Sequence, residues 1–544
     1  MTDRIILPRR SILQLALAGS TLPWLGARAQ SKTKPSGQVV IGLSQEPTVF
    51  HPLLPRIEVD EGVYMALFSP LWAVDPKGNF LPRLAAEVPT VANGGVSEDG
   101  LTWKIKLRDG VTWHDGKPFT ADDVKFTIDT INNPNFPAGS RSGHELVRDI
   151  KVLAPNLITW RMEKPFAPYI SILTNTYVVP QHALADSPDP HNSPFIRAPI
   201  GTGPFKWSER VPGDHITLTA NEAYFDEGPY LERLVYKYIP DLTILYTQFR
   251  TGDIDYISLQ GITADHYQEA KTLPNRVISA VPQASIENFY FNLGLPVFQD
   301  PVVRQALYLS MDKKSIIDDL YYSLPHANES YLPPQSWAYN PELPKQAYDP
   351  DKAKALLDGA GWKVGSGGIR EKDGVRLQFS NSTTAGNHLR EQAQQLLQQN
   401  WQDVGVGMTI HNLPAAVMWG DYWIQSHFET AIVGIVFMTG PDPAADDYFS
   451  SKAIAAKGGA GQNTMQYASP KMDALLQQGA TTLDHAKRVE AYRGVQALLR
   501  SDLPFLPIFQ YTTVEGTKTG LTGYQPNINV RLNAWNVNTW RWTT

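Results

Sequence analysis

Leu101 to Arg108 alternates without a break: Leu101, Trp103, Ile105 and Leu107 on one side, Thr102, Lys104, Lys106 and Arg108 on the other. Successive side chains of a strand point to opposite faces, so the segment reads as a strand with one face in a core. Asp109-Gly110 is a hairpin turn signal, and Val111-Thr112-Trp113 reads as the returning strand. His114-Asp115-Gly116-Lys117-Pro118 makes a second turn, in which Asp and Gly supply local hydrogen bonds and a permissive φ. Thr120 stands three residues before Asp123, the spacing of a capping box, and Val124, Ile128 and Ile131 then recur at the helical interval. A histidine beside an aspartate invites a catalytic reading. Here each residue has a structural task, and the pair is assigned to the turn.

The same grammar recurs downstream. Asp300-Pro301 is an N-cap followed by proline at the first helical position, with Val303, Ala306, Leu307 and Ser310 on one side of the helix it opens. Asp349-Pro350 repeats the device, and Gly359 or Gly361 ends that helix. Leu389, Ala393, Leu396, Leu397 and Trp401 form an apolar stripe closed by Gly405, after which Val406, Met408 and Ile410 alternate as a strand. Helices and strands mixed along the whole chain predict an α/β or α+β architecture.

The N-terminus has a different pattern. An apolar run from Ile12 to Leu25, broken by Gln14, Gly19 and Ser20, follows a basic start and precedes Ala27-Arg28-Ala29. This is the pattern of a signal peptide over residues 1–29, too short and too interrupted for a membrane span, with a linker over 30–37. Arg9-Arg10-Ser11-Ile12-Leu13 resembles the twin-arginine export signal, although Pro8 and Gln14 depart from its usual flanks; an ordinary secretory signal is the alternative. Either way the expected destination is outside the cytoplasm, in a periplasm.

With 544 residues there is room for two or three domains. The chain has no cysteine, so neither a disulfide framework nor a lipid-anchored cysteine after the cleavage site is expected. Loss of a leader holding Arg4, Arg9, Arg10 and Arg28 against Asp3 would take the formal charge from −6 to −9, a poor match for nucleic acid. No H-E-x-x-H, P-loop or G-x-S-x-G pattern occurs, and the twelve histidines show no pairing at metal-ligand spacing, so no cofactor and no metal site are expected. Ser310-Met311-Asp312-Lys313 matches S-x-x-K without the companion patterns that give it meaning. A carboxylate pair assembled only in space would leave an exported hydrolase as the competing class.

"LRDGVTWHDGKPFTADDVKFTID" resembles the most characteristic segment of the family 5 extracytoplasmic solute-binding proteins, the dipeptide, oligopeptide and nickel receptors of ATP-driven importers. Seven further segments follow the family pattern in order: "GTGPFKW", "NEAYFDEGPYLERLVYKYIPD", "QFRTGDIDYI", "NFYFNLGLPVFQDPVVRQALYLSMDKKSII", "YDPDKAKALLDGAGW", "DPAADDYFSS" and "PFLPIFQY". The resemblance implies an α/β, two-lobed periplasmic binding protein-like fold (type II, cluster C). Lobe I would comprise 38–283 and 509–544, with an extra subdomain over about 60–191, and lobe II would comprise 284–508. The lobes would be joined by the strands "ASIENFYFNL" and "PFLPIFQY" and would close on a ligand. It also implies a non-enzymatic monomer whose partners are a small solute and the permease and ATPase subunits of an importer. Peptide is the commonest ligand in such a family, with sugars, opines and metal complexes as alternatives.

Three stretches are expected to line the cleft on the same ground: Gln45 to Thr48 after the opening strand, with Glu46 and Thr48; Val417-Met418-Trp419; and Phe437 to Asp442, with Thr439 between them. Thr439 falls three residues before Asp442, where peptide-binding members place an aspartate for the ligand's α-ammonium. A hydroxyl there cannot neutralise a cation. Each stretch also has a plain structural reading: Glu46-Pro47 as a turn, Trp419 as a core aromatic, Asp442-Pro443 as a helix cap.

Overall fold

The structure is a computed structural model that describes residues 33–543 apart from Pro188, Thr439, Arg531 and Asn533, with the backbone alone of Gln260. The expected leader, residues 1–29, lies outside the described residues.

Eleven strands form one sheet. In chain order they are β1 (Gln38–Leu43), β2 (Phe205–Val211), β3 (His215–Ala220), β4 (Arg233–Tyr238), β5 (Tyr256–Ile262), β6 (Arg276–Phe291), β7 (His326–Ala327), β8 (Gln378–Ser382), β9 (Gly407–Ile410), β10 (Thr430–Val436) and β11 (Phe505–Lys518). Their spatial order is β9-β8-β10-β6-β11-β5-β1-β4-β3-β2, with the short β7 paired to β11. Two long antiparallel strands, β6 and β11, thus run through the middle. The first half of β6 pairs with the second half of β11, from Arg276↔Lys518 to Pro282↔Thr512. Its second half pairs with the first half of β11, from Ile286↔Gln510 to Tyr290↔Phe505. Between the halves the register shifts, and it shifts again between Glu287 and Asn288. Register shifts of this kind bend a strand and add twist.

The sheet is therefore shared by two lobes. One is built on β1 to β5, with a core that includes Val39, Ile41, Tyr64, Leu234 and Trp540. The other is built on β8 to β10, with cores around Phe289, Leu397 and Trp401 and around Tyr290, Phe437 and Phe505. Trp540, near the end of the chain, packs on Tyr256 of β5, so the C-terminal segment returns to the first lobe.

The opening stretch lies in a separate small sheet made of Thr102–Lys106, Leu157–Met162 and Val147–Ala154, with the 157–162 strand central. The alternation holds: Trp103, Ile105 and Leu107 are buried. The returning strand does not form. Thr112 makes only an isolated bridge with Pro118, and the partner of Thr102–Lys106 is Leu157–Met162, about fifty residues on. The Asp109-Gly110 turn instead carries the chain under helix α1 (Ala121–Asn132). At its start Asp123 accepts hydrogen bonds from the Thr120 N–H at 2.9 Å, the Gln181 N–H at 2.9 Å and the Trp113 indole at 3.2 Å.

The predicted caps are present. Asp300 accepts from the Val302 N–H, and Asp349 from the Lys352 N–H. The stripe from Leu389 lies on helix α2 (His388–Gln402), with Ala393, Leu397 and Trp401 buried. In β9, the edge strand, Met408 is buried but Ile410, the last residue of the strand, is 39% exposed. Helices α3 (Pro470–Thr481) and α4 (His485–Asp502) form a hairpin near the surface of the second lobe. Among the described residues no helix is long and apolar enough to cross a membrane.

Candidate functional site

Strand directions locate the cleft. β1 is parallel to β4 and β5, and β5 and β6 are both antiparallel to β11, so β1 and β6 point the same way. β10 is antiparallel to β6 and carries β8 and β9 parallel to itself. The parallel strands of the two lobes therefore point toward each other along β6. Val436, the last residue of β10, pairs with Ser285. Gly42 of β1 pairs with Ile257, which lies across Gly516 from Ile278. Both sets of carboxyl ends thus approach the bend in β6 from opposite sides. In open α/β sheets the crevice outside the carboxyl ends of the strands is where ligands bind. Here two such crevices face each other.

The segment after β1 enters this region from the first lobe. Glu46 accepts from Arg210 at 2.6 Å and from the Gly213 N–H at 3.1 Å. Burial would raise its pKa, yet these partners hold it below its ordinary value. The Thr48 and Val49 N–H groups donate to Asp60 at 2.8 and 3.2 Å, and Asp60 also takes the Ile57 N–H at 2.9 Å. This buried aspartate pins the loop to the helix Glu58–Leu67 and leaves the Thr48 side chain exposed.

The segment after β10 enters from the second lobe. Phe437 is only 2% exposed and stacks on Phe449 and Phe505, with Tyr331 edge-on. Asp442, equally buried, receives both its Arg488 contacts from Nη2, at 2.9 and 2.8 Å, and also caps the Ala444 N–H. Arg488 in turn donates to the Gly479 carbonyl and lies over the rings of Trp337 and Tyr492. Phe437 and Asp442 thus shape this wall from inside. Thr439 lies outside the described residues. Trp419 is 39% exposed, between two short helices, with its ring edge-on to Trp423, which stacks on Phe428.

Sequence reasoning did not find the group at the bend itself. Glu287 of β6, fully buried, accepts from Arg390 of α2 at 2.7 and 3.0 Å and from the Tyr511 hydroxyl of β11 at 2.7 Å. Burial alone would pull the Arg390 pKa down; Glu287, Tyr511 and Tyr321 carry it above its ordinary value instead. Gly434 of β10 lies against this group. A Cβ there would stand 2.7 Å from the Tyr511 ring, 2.9 Å from Glu287 and 3.1 Å from Arg390. Four chain segments separated by up to 224 residues meet here, and no local pattern announces that. A small recess of about 50 Å³, lined by Phe68, Arg83, Thr174, Tyr177, Val530 and Trp535 among others, also went unseen. Thr174 places it beside Gly440 of the 437–442 segment.

The catalytic-looking pieces are structural. The Gly201 N–H donates to His114 Nδ1 at 3.0 Å, which makes Nε2 the protonated nitrogen, donating to the Gly203 carbonyl at 3.1 Å. Gly201 and Gly203 must be glycines, because a Cβ would stand 1.7 Å and 2.4 Å from the Leu67 and Ala66 carbonyl oxygens. The histidine turn therefore clamps the "GTG" loop to the rest of the first lobe. In the S-x-x-K segment, Ser310 donates to the Ala306 carbonyl, while Lys313 is committed to Tyr308, Asn328 and Glu329. Among the described residues no group of three or more His, Asp or Glu is placed to hold a metal ion.

Comparison with known proteins agrees with this geometry. The family model for the middle region of the bacterial extracellular solute-binding proteins, family 5, matches residues 79–457. The oligopeptide-binding protein AppA of Bacillus subtilis is 28% identical over 527 residues, covering 94% of this chain and 93% of the relative. The dipeptide-binding protein of Escherichia coli is 27% identical over 454 residues, covering 79% and 82%. The AppA structure, solved with a nonapeptide, superposes with a TM-score of 0.78 over 94% of this chain and 100% of its own. NikZ of Campylobacter jejuni, solved with Ni(L-His), is 27% identical and gives 0.80 over 93% and 100%.

Proposed function

We propose, because the chain belongs to the bacterial extracellular solute-binding proteins of family 5, that it captures a peptide-like solute between its lobes and hands it to a membrane permease. The coarser part of this follows from membership: the chain is a transport receptor rather than an enzyme, the substrate-binding component of an ATP-binding-cassette importer. The single observation that carries the rest is the convergence of parallel-strand carboxyl ends from both lobes on the bend between β6 and β11. A ligand held there touches both lobes only when they are closed, so it favours closure by its differential affinity for that state. We place the lobe boundaries near residue 284 in β6 and residue 508 in β11, the compartment in the periplasm, and the leader at residues 1–29.

The solute is held by surface and hydrogen bonds more than by charge. Glu46, Asp442 and Arg390, three ionic groups in or beside the expected contacts, are each engaged by a protein partner: Arg210, Arg488 and Glu287. Drawing Asp442 or Arg390 onto a ligand would strand Arg488 or Glu287 in a buried place, which is costly. Thr48, Trp419 and the backbone of Met438 and Gly440 offer hydroxyl, aromatic and amide contacts instead. This favours a peptide recognised through its backbone, or a modified peptide, opine or sugar, over a free dipeptide recognised by its ammonium group. Mass spectrometry of solute carried through native purification identifies the class. Calorimetry with dipeptides and their N-acetylated forms then tests the mode: similar, weak binding of both is expected, and tight binding abolished by acetylation overturns it.

A further inference from the structure

The small sheet of the first lobe buries one face and leaves the other to solvent. Trp103, Ile105, Ile158 and Trp160 fill the buried face. The pairing register sets out the open face as three rows across the strands: Thr102–Arg161–Arg148, Lys104–Thr159–Lys151 and Lys106–Leu157–Ala154. Five of these nine positions are cations and none is an acid, in a chain with 54 acidic against 48 basic residues. Lys104, Lys106, Arg148, Lys151 and Arg161 are all exposed.

This arrangement works against the fold. Arg148 and Arg161 stand directly opposite each other, and like charges so placed destabilise a strand pair. Glu163 engages Arg148 from beyond the end of the central strand. The other carboxylates nearby also lie off the rows. Asp149 falls where the register shifts, Asp99 precedes the first strand and accepts from Ser97, and Asp109 accepts from Asn156. Among the described residues, Lys104, Lys106, Lys151 and Arg161 make no side-chain hydrogen bond or ion pair. Three of the five cations are lysines, compact charges on flexible stems rather than planar forks shaped for one carboxylate. Such a set suits an extended field of negative charge better than a single acidic group. Leu153, 55% exposed at the second register shift, adds an apolar side chain at the edge of the same sheet.

We propose that this open sheet face is a docking surface for a membrane rich in anionic phospholipid. Each lysine or arginine brought to such a surface gains from its negative potential, by about fivefold in binding. The chain as a whole carries a formal charge of −6 and is repelled, so the attraction turns this face toward the lipid. Binding of this kind is weak, reversible and screened by salt. It holds the receptor at the surface where a permease works, and it requires neither solute nor closure of the lobes.

Vesicle sedimentation tests this without any solute, so its failure would leave the transport reading intact. Protein beginning at Gln30, so that the basic leader cannot contribute, is expected to bind vesicles of equal parts phosphatidylglycerol and phosphatidylcholine at low ionic strength. It should leave them in about 0.5 M salt and ignore vesicles of phosphatidylcholine alone. Lys104→Gln, Lys106→Gln and Lys151→Gln together should weaken the binding about a hundredfold. Lys345→Gln, Lys352→Gln and Lys457→Gln, exposed on the second lobe, should leave it unchanged. Arg161→Glu should weaken it while keeping resistance to urea at least at the parent's level, because it sets a carboxylate opposite Arg148. Equal binding to neutral and anionic vesicles, binding to neither, or equal losses from the two lysine sets would overturn the docking surface. Retention on immobilised polyglutamate without vesicle binding would also overturn it, and would give the face to an acidic polypeptide.

Discussion

At the residue scale, buried ionisable groups carry the clearest consequences. Arg488 and Asp442 are both buried and bonded to each other. Removing one partner leaves the other charge uncompensated, so Arg488→Met is expected to cost about 3–5 kcal/mol, and the double variant with Asp442→Leu to recover much of it. Urea unfolding of the two variants measures both. His51 and His144 are held neutral by burial, with pKa lowered to about 4 from 6.5. The unfolded chain takes up these protons below about pH 6.5 and the folded chain does not, so their contribution to stability is lost as pH falls toward 4. Each should contribute up to about 2 kcal/mol of acid destabilisation at pH 5. His144→Gln should shrink the difference in unfolding free energy between pH 7 and pH 5 by about that amount; an unchanged difference would refute the assignment.

At the element scale, the two long strands behave as a jointed pair. β6 and β11 pair on both sides of the register shift, with a second shift at Glu287/Asn288, and Glu287, Arg390 and Tyr511 cross-brace the joint. Gly434 leaves room for that brace, because a Cβ there would stand within 3.1 Å of all three side chains. Gly434→Ala should therefore push the brace apart and cost about 1–3 kcal/mol in thermal or denaturant unfolding. A variant as stable as the parent would mean that the brace has slack. The S-x-x-K segment and the histidine turn belong to the same scale: each reads as chemistry in isolation and resolves into helix packing or loop clamping once its neighbours are present.

For the whole molecule, the prediction is compaction. Two lobes that meet at a bend should show a smaller radius of gyration by small-angle scattering when a copurified solute is restored to stripped protein. Unchanged scattering together with measurable binding would speak against closure as the response. Export belongs here as well. Replacing Arg9 and Arg10 by lysine should hold precursor in the cytoplasm if the leader is of the twin-arginine type; normal export of that variant would assign it to the ordinary secretory route.

Local pattern by itself determined the strand Thr102–Lys106 within the alternation over 101–108, the capped helices after Thr120, Asp300 and Asp349, and the stripe on α2, because each depends on neighbours within a few residues. The ordered family segments carried the two-lobed architecture. The partner of the 101–108 strand was misjudged, since a turn signal does not say whether the chain folds back at once or fifty residues later. Nor could any local rule show that Glu287 would meet Arg390 and Tyr511, or that Asp442 would be neutralised by Arg488, 46 residues away. Those pairings are settled by which buried charges the packed lobes bring within hydrogen-bonding reach. Only the tertiary structure supplies that proximity, because the cost of burying a charge depends on everything around it in space and very little on what adjoins it in the chain.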